Sequence, residues 1–83
     1  MSAIPLREYV VSGMVSAETV NQLLPFGEPM VTESASGAPG WRATEREYRA
    51  WIRLRSGGRT FGQFDFSPQF AAERLLEKLR GAG

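Results

Sequence analysis

Tyr48-Arg49-Ala50-Trp51-Ile52-Arg53-Leu54-Arg55-Ser56-Gly57-Gly58-Arg59-Thr60-Phe61-Gly62-Gln63-Phe64-Asp65-Phe66 is the stretch that decides the architecture. From Tyr48 to Arg55 apolar side chains (Tyr48, Ala50, Ile52, Leu54) alternate with Arg49, Trp51, Arg53 and Arg55, the period of a strand with two unlike faces. Ser56-Gly57-Gly58 turns the chain, and Arg59 to Phe66 returns it as a second strand. Register settles which residues share a face, because a slip of one residue exchanges every side chain. A two-residue turn at Gly57-Gly58 would set Ala50 opposite Asp65 and drive a carboxylate toward the core, which is costly. A three-residue loop, Ser56 to Gly58, instead pairs Arg55 with Arg59, Leu54 with Thr60, Ala50 with Phe64 and Tyr48 with Phe66. It also faces Arg49 with Asp65, a favourable cross-strand pair. The second register is the one expected.

C-terminal to the hairpin, Ser67-Pro68 combines a hydroxyl cap with proline at the first helical position, where a missing N–H costs nothing. Ala72, Leu75, Leu76 and Leu79 then recur at helical spacing, with Gln69, Glu73, Glu77, Lys78 and Arg80 outside. Toward the N-terminus, Leu6 to Val15 contains Tyr9, Val10, Val11, Met14 and Val15 and reads as a first strand. Ser16 caps a helix carrying Val20, Leu23 and Leu24 on one side, and Pro25 stops it. Met30 to Glu33 reads as a short strand that Pro29 confines to a strand start or a sheet edge. Ser34 to Thr44, rich in glycine, proline and small residues, reads as an exposed loop inside a single domain spanning 1–83. The expected fold is α+β: an antiparallel sheet of three to four strands with two helices, in the order strand, helix, strand, strand, strand, helix.

Composition narrows the functional classes. A chain of 83 residues supports one modest core. It has no cysteine, hence neither a disulfide framework nor a thiolate metal site. Histidine is also absent, which removes the usual general base near neutrality and the commonest metal ligand. The serines have no base partner, Glu45 and Glu47 read as solvated partners of nearby arginines rather than as a catalytic pair, and Gly57-Gly58 lacks the remainder of a phosphate-binding loop. No enzyme, cofactor, metal or small-molecule substrate is expected. The N-terminal residues do not form a secretory signal and no stretch is apolar enough for a membrane span, so the expected location is cytoplasmic, with no membrane partner.

Charge is unevenly distributed. Residues 1 to 40 hold Arg7 against Glu8, Glu18, Glu28 and Glu33, whereas residues 41 to 83 hold nine basic side chains against five acidic ones. Nine of the ten cations are arginine, the residue suited to planar, bidentate and stacked contacts. In the expected register, Arg49, Trp51, Arg53 and Arg55 share the face turned away from the helices with Arg59, Phe61, Gln63 and Asp65. Arg49, Trp51, Arg53, Arg55, Arg59 and Phe61 are therefore the candidate binding residues, since tryptophan and arginine dominate binding energy at many interfaces. The alternative is that Ser34 to Thr44, including Trp41, folds over this face and makes it a second small core.

Gly62, Phe64, Ser67, Ala71 and Ala72, at the last strand and the start of the final helix, give residues 46 to 80 a pattern that resembles the arm-binding domains of phage integrases and the ethylene-response type of plant transcription factor. That resemblance implies a sheet laid in the DNA major groove, with base or phosphate contacts from Arg49, Trp51, Arg53, Arg55 and Arg59. The preceding strand, helix and acidic half depart from those families. The order helix, three strands, helix is also similar to a double-stranded-RNA-binding domain, but Pro68-Gln69-Phe70-Ala71 stands where that family has a lysine cluster. In size, dipolar charge and lack of enzyme motifs the chain is similar to small inhibitors of phages and mobile elements, anti-CRISPR proteins included. Near-neutral net charge favours a protein partner, because nonspecific nucleic-acid affinity comes largely from phosphate neutralisation. The expected function is a non-enzymatic inhibitor or adaptor that blocks a host protein complex through the arginine and tryptophan face. A nucleic-acid-binding domain using the same face is the alternative.

Overall fold

The computed structural model describes residues 3–35 and 46–81. Four strands, β1 (Ala3–Pro5), β2 (Gly27–Ala35), β3 (Arg46–Leu54) and β4 (Arg59–Asp65), form one antiparallel sheet in the order β1-β2-β3-β4. Three helices, α1 (Arg7–Val11), α2 (Ala17–Leu23) and α3 (Pro68–Gly81), accompany it among the described residues. The α+β class and the antiparallel sheet are as expected; the chain order is matched only approximately.

The departure lies at the N-terminus. Leu6 to Val15, expected as a strand, is largely helical, and the first strand is the three-residue β1 before it. Tyr9 is 7% exposed and Val11 90%, a contrast that the two-residue period of a strand does not allow. Leu6 and Tyr9, three apart, both enter the core, so α1 follows helical spacing despite its β-branched residues. Packing overrides the local strand preference here.

Ser16 caps α2 as expected, its hydroxyl accepting from the Thr19 N–H at 3.3 Å. Pro25 lies in a 3-10 turn, Leu24–Phe26, that follows the helix. The expected short strand at Met30 to Glu33 extends over nine residues and lies inside the sheet, between β1 and β3. Pro29 is tolerated there because of where its nitrogen points. Its carbonyl accepts from the Leu6 N–H at 3.0 Å, on the β1 side, and a strand residue directs N and C=O to the same side. The nitrogen that cannot donate thus faces the place where β1 has ended at Pro5, and no bond to β3 is lost.

The β3–β4 hairpin closes with a three-residue loop, but one position earlier than expected. Leu54 N donates to Gly58 O at 2.8 Å and Gly57 N to Leu54 O at 2.9 Å, leaving Arg55, Ser56 and Gly57 in the loop. Gly57 supplies the positive φ, 102°, that such a loop demands. Thr60 accordingly faces Ile52 rather than Leu54, and Arg59 faces Arg53 rather than Arg55. This slip is by two residues, so near the turn every side chain keeps its expected face.

All three helices lie on one side of the sheet. Val31, Ala50 and Ile52 from the strands meet Leu6, Tyr9, Val20, Leu23, Ala71, Ala72, Leu75, Leu76 and Leu79 in a single core. The expected stripe of α3 is the buried one, with Ala71 added to it. Burial of side chains such as Leu23, Ile52 and Leu75 stabilises the fold by about 1.5–3 kcal/mol each. Polar contacts between helices are concentrated at Gln69, which accepts from Ser16 N at 2.8 Å and donates to Thr19 Oγ1 at 3.1 Å and Glu73 Oε2 at 2.9 Å. No helix among the described residues is long and apolar enough to cross a membrane. Ser34 and Ala35, expected as loop, belong to β2, while the remainder of that segment with Trp41, and Glu45 of the carboxylate pair, lies outside the described residues.

Candidate functional site

The register builds the site. On the face away from the helices, alternation along β3 sets out Glu47, Arg49, Trp51 and Arg53. β2 contributes Glu28, Met30, Thr32 and Ser34 beside them, and β4 contributes Arg59 and Phe61. Five of the six candidate residues are thus brought together: Arg49, Trp51, Arg53, Arg59 and Phe61. Arg55 stands apart in the hairpin loop, exposed at the end of the face.

Beyond Phe61 the strands fall out of step. Trp51 faces Phe61 and Arg49 faces Phe64, so β4 spends three steps where β3 spends two, and Gly62 and Gln63 together oppose Ala50. This is a β-bulge. Glycine fits closely there: a Cβ on residue 62 would lie 3.2 Å from Ala50 O and 3.3 Å from both Cα and Cβ of Leu75, so strand and helix would have to yield by a few tenths of an ångström. The bulge overturns three expected placements. Phe64 leaves the core side and joins the outer face, 43% exposed. Asp65 no longer faces Arg49; it lies opposite Tyr48 and pairs with Arg74 of α3 at 2.9 Å. Gln63 also turns to α3, accepting from Arg74 at 3.2 Å. A carboxylate on the helix side is tolerable because it sits at the rim, where a guanidinium meets it.

Trp51 requires a correction too. The indole expected in solvent is 5% exposed. Its N–H donates to Thr32 Oγ1 at 2.9 Å, its ring meets Phe61 at 5.6 Å between centroids and a 32° tilt, and the Arg59 guanidinium lies 5.3 Å from its centre. Trp51 is absent from the core under the helices and forms the floor of the opposite face. Arg49 continues the series, its guanidinium carbon 4.4 Å from the Phe64 ring centre and 5.4 Å from that of Phe61. The result is a connected array, Arg59, Trp51, Phe61, Arg49, Phe64, of two cations and three rings in contact. Phe61 remains 39% exposed. Among the described residues no helix or strand covers this array.

Sequence reading missed Phe64, Thr32, Met30 and the carboxylates Glu28 and Glu47 on this face. Gly62 inside a strand pattern was the available signal for the first, since an isolated strand glycine often marks a bulge. Thr32, Met30 and Glu28 required the pairing of β2 with β3, whereas Glu47 follows from alternation along β3 itself.

Elsewhere, two surface clefts run along α3. One is lined by Glu18, Gln22, Glu73, Glu77 and Arg80 and the other by Gln63, Arg74 and Lys78. Their side chains are largely engaged with one another and with the edge strand: Lys78 Nζ donates to Phe61 O at 2.7 Å. Among the described residues no cluster of three or more side chains fit to ligate a metal occurs. No family model, curated protein or solved structure matches the chain.

Proposed function

We propose that this chain is a non-enzymatic binding protein, of inhibitor or adaptor type, that docks on a partner protein through the outer face of its sheet. The observation that supports this reading most is the cation and ring array from Arg59 to Phe64. Arginines held against aromatic rings lose little further freedom on binding, and partly exposed phenylalanines supply apolar area at the centre of a patch with a charged rim. The sequence lacks histidine and cysteine, which agrees with a role in binding rather than turnover.

The test is capture of partners from host-cell lysate by the immobilised chain, beside the variant R53E/R55E. Both arginines are exposed and make no polar contact with another described residue, so the variant folds while the rim reverses charge. Loss of the captured protein from the variant supports the face as the docking surface, and equal capture by both rejects it. Recovery of nuclease-sensitive material instead would transfer the face to nucleic-acid recognition.

A further inference from the structure

We infer that the outer face receives a carboxylate-bearing segment of the partner protein, and that Arg49 is the residue that accepts the carboxylate. The inference rests on the face being a docking surface and adds the chemistry of what docks there.

Arg7 on α1 aside, the cations among the described residues fall into two groups. Arg46 pairs with Glu33 at 3.0 Å, Arg74 with Asp65 at 2.9 Å, Lys78 reaches Phe61 O at 2.7 Å, and Arg80 donates to Gln22. These four satisfy acceptors of the chain itself. Arg49, Arg53, Arg55 and Arg59, by contrast, find no hydrogen-bond acceptor or carboxylate among the described residues; Arg49 and Arg59 touch only rings. Arg53 and Arg59 moreover face each other directly across β3 and β4, an arrangement that like charges disfavour. An anion bound above them would relieve that repulsion.

Arg49 is the most specific of the four. Its Nε is enclosed, out of reach of a ligand, and has no acceptor within the described chain, so a docking carboxylate would meet the terminal N–H groups of the guanidinium. Contacts with the Phe64 and Phe61 rings restrain the guanidinium, and a planar fork of N–H groups matches the two oxygens of a carboxylate.

A run of phosphates suits the face less well. Trp51 is buried, with Phe61 and Arg59 against its ring, so it offers no platform on which a base could stack. Glu28 lies opposite Arg53, and Glu47 lies two residues from Arg49 on the same side, so a continuous polyanion laid along the face meets repulsion at both places. A discrete carboxylate at Arg49, flanked by apolar contacts to Phe61 and Phe64, avoids both.

The test is a titration of the full chain, uniformly labelled with nitrogen-15, in which the arginine Nε–Hε signals are followed. The probes are an end-blocked hexapeptide with a single glutamate among serine and leucine residues, the same peptide with glutamine in its place, and an oligothymidylate of equal length, at one ionic strength. The expected result is a saturable shift of the Arg49 signal with the glutamate peptide and none with the glutamine peptide. R49K should weaken binding of the glutamate peptide about tenfold, the order expected for a lost charge-assisted hydrogen bond, while R7K leaves it unchanged. Equal movement of Arg7 and Arg49, or no movement of Arg49, overturns the inference. Tighter binding of the oligothymidylate at Arg49 also overturns it, but leaves the face as a docking surface. Loss of the docking surface itself is read separately, from the capture experiment with R53E/R55E.

Discussion

Phe64 stands across the sheet from Arg49, its ring centre 4.4 Å from the guanidinium carbon, because β4 carries one more residue than β3 between this pair and the pairing of Trp51 with Phe61. Were the ladder regular beyond Trp51 and Phe61, Phe64 would lie opposite Tyr48 and face the helices, and Arg49 would lie opposite Gln63. The composition of the candidate site thus depends on a backbone irregularity at Gly62 and Gln63, and that irregularity depends on how closely β4 approaches α3.

Gly62→Ala tests that approach. The added methyl would meet the backbone of Ala50 and Leu75 at 3.2 and 3.3 Å, and backbone atoms give way less readily than side-chain ends. The variant should lose about 1–3 kcal/mol of stability, the range for overpacking a buried position. Urea denaturation of both proteins measures it; an unchanged midpoint would show that strand and helix are not so close. Gln63→Ala removes only an exposed contact to Arg74 and should stay within about 0.5 kcal/mol of wild type.

Trp51→Phe removes the indole N–H that Thr32 accepts and leaves part of a buried volume empty. A loss of about 1–3 kcal/mol is expected, combining the unmade hydrogen bond with the packing deficit. Fluorescence provides an independent check. On a Trp41→Phe background the remaining emission should be blue-shifted and poorly quenched by acrylamide. Emission typical of a water-exposed indole would place Trp51 in solvent, where alternation alone had located it.

Charge reversal separates rim from floor. Arg53→Glu with Arg55→Glu should abolish partner capture while stability changes by no more than about 0.5 kcal/mol, as for exposed positions generally. Arg49→Glu should abolish capture and also destabilise the fold, because a carboxylate in that position loses both ring contacts and lies beside aromatic faces that repel anions. Thermal denaturation of the three proteins distinguishes them. A destabilised R53E/R55E would show that those arginines serve the fold.

Much of this was legible in the sequence. Alternation from Tyr48 to Leu54 identified the central strand and its two faces, Ser67-Pro68 the start of α3, and Ser16 the cap of α2, because each is a local rule acting on neighbouring residues. What escaped depends on distant contacts. α1 was mistaken for a strand because the preference of Tyr9, Val10 and Val11 is weaker than the burial of Leu6 and Tyr9 beneath the sheet. The interior position of β2 was hidden by Pro29, whose lost N–H is harmless only because β1 stops at Pro5. Trp51 was located on the correct face but at the wrong depth, since periodicity reports direction and not cover. The bulge had a local sign in Gly62, yet its side-chain consequences appear only when β4 is paired with β3.

Tyr9 gives the last prediction, and it concerns pH. Its hydroxyl donates to Glu33, which also accepts from Arg46 at 3.0 Å, joining α1 to β2 and β3. Burial of the phenol, then the hydrogen bond to Glu33 and that residue's charge, raise the Tyr9 pKa well above its ordinary value, with Arg46 opposing. The folded state therefore holds this proton more tightly than the unfolded chain, which releases it near about pH 10. Below that pH both states are protonated and the contribution is whole. Above it the unfolded state alone loses the proton, and stability declines by up to about 1.4 kcal/mol per pH unit from this one group. Tyr9→Phe should be about 1 kcal/mol less stable at neutral pH, having lost the hydrogen bond, but should decline less steeply in alkali. Urea midpoints of both proteins, followed upward from about pH 9, should converge. Parallel curves would mean that the Tyr9 phenol ionises equally readily in the folded and unfolded chains.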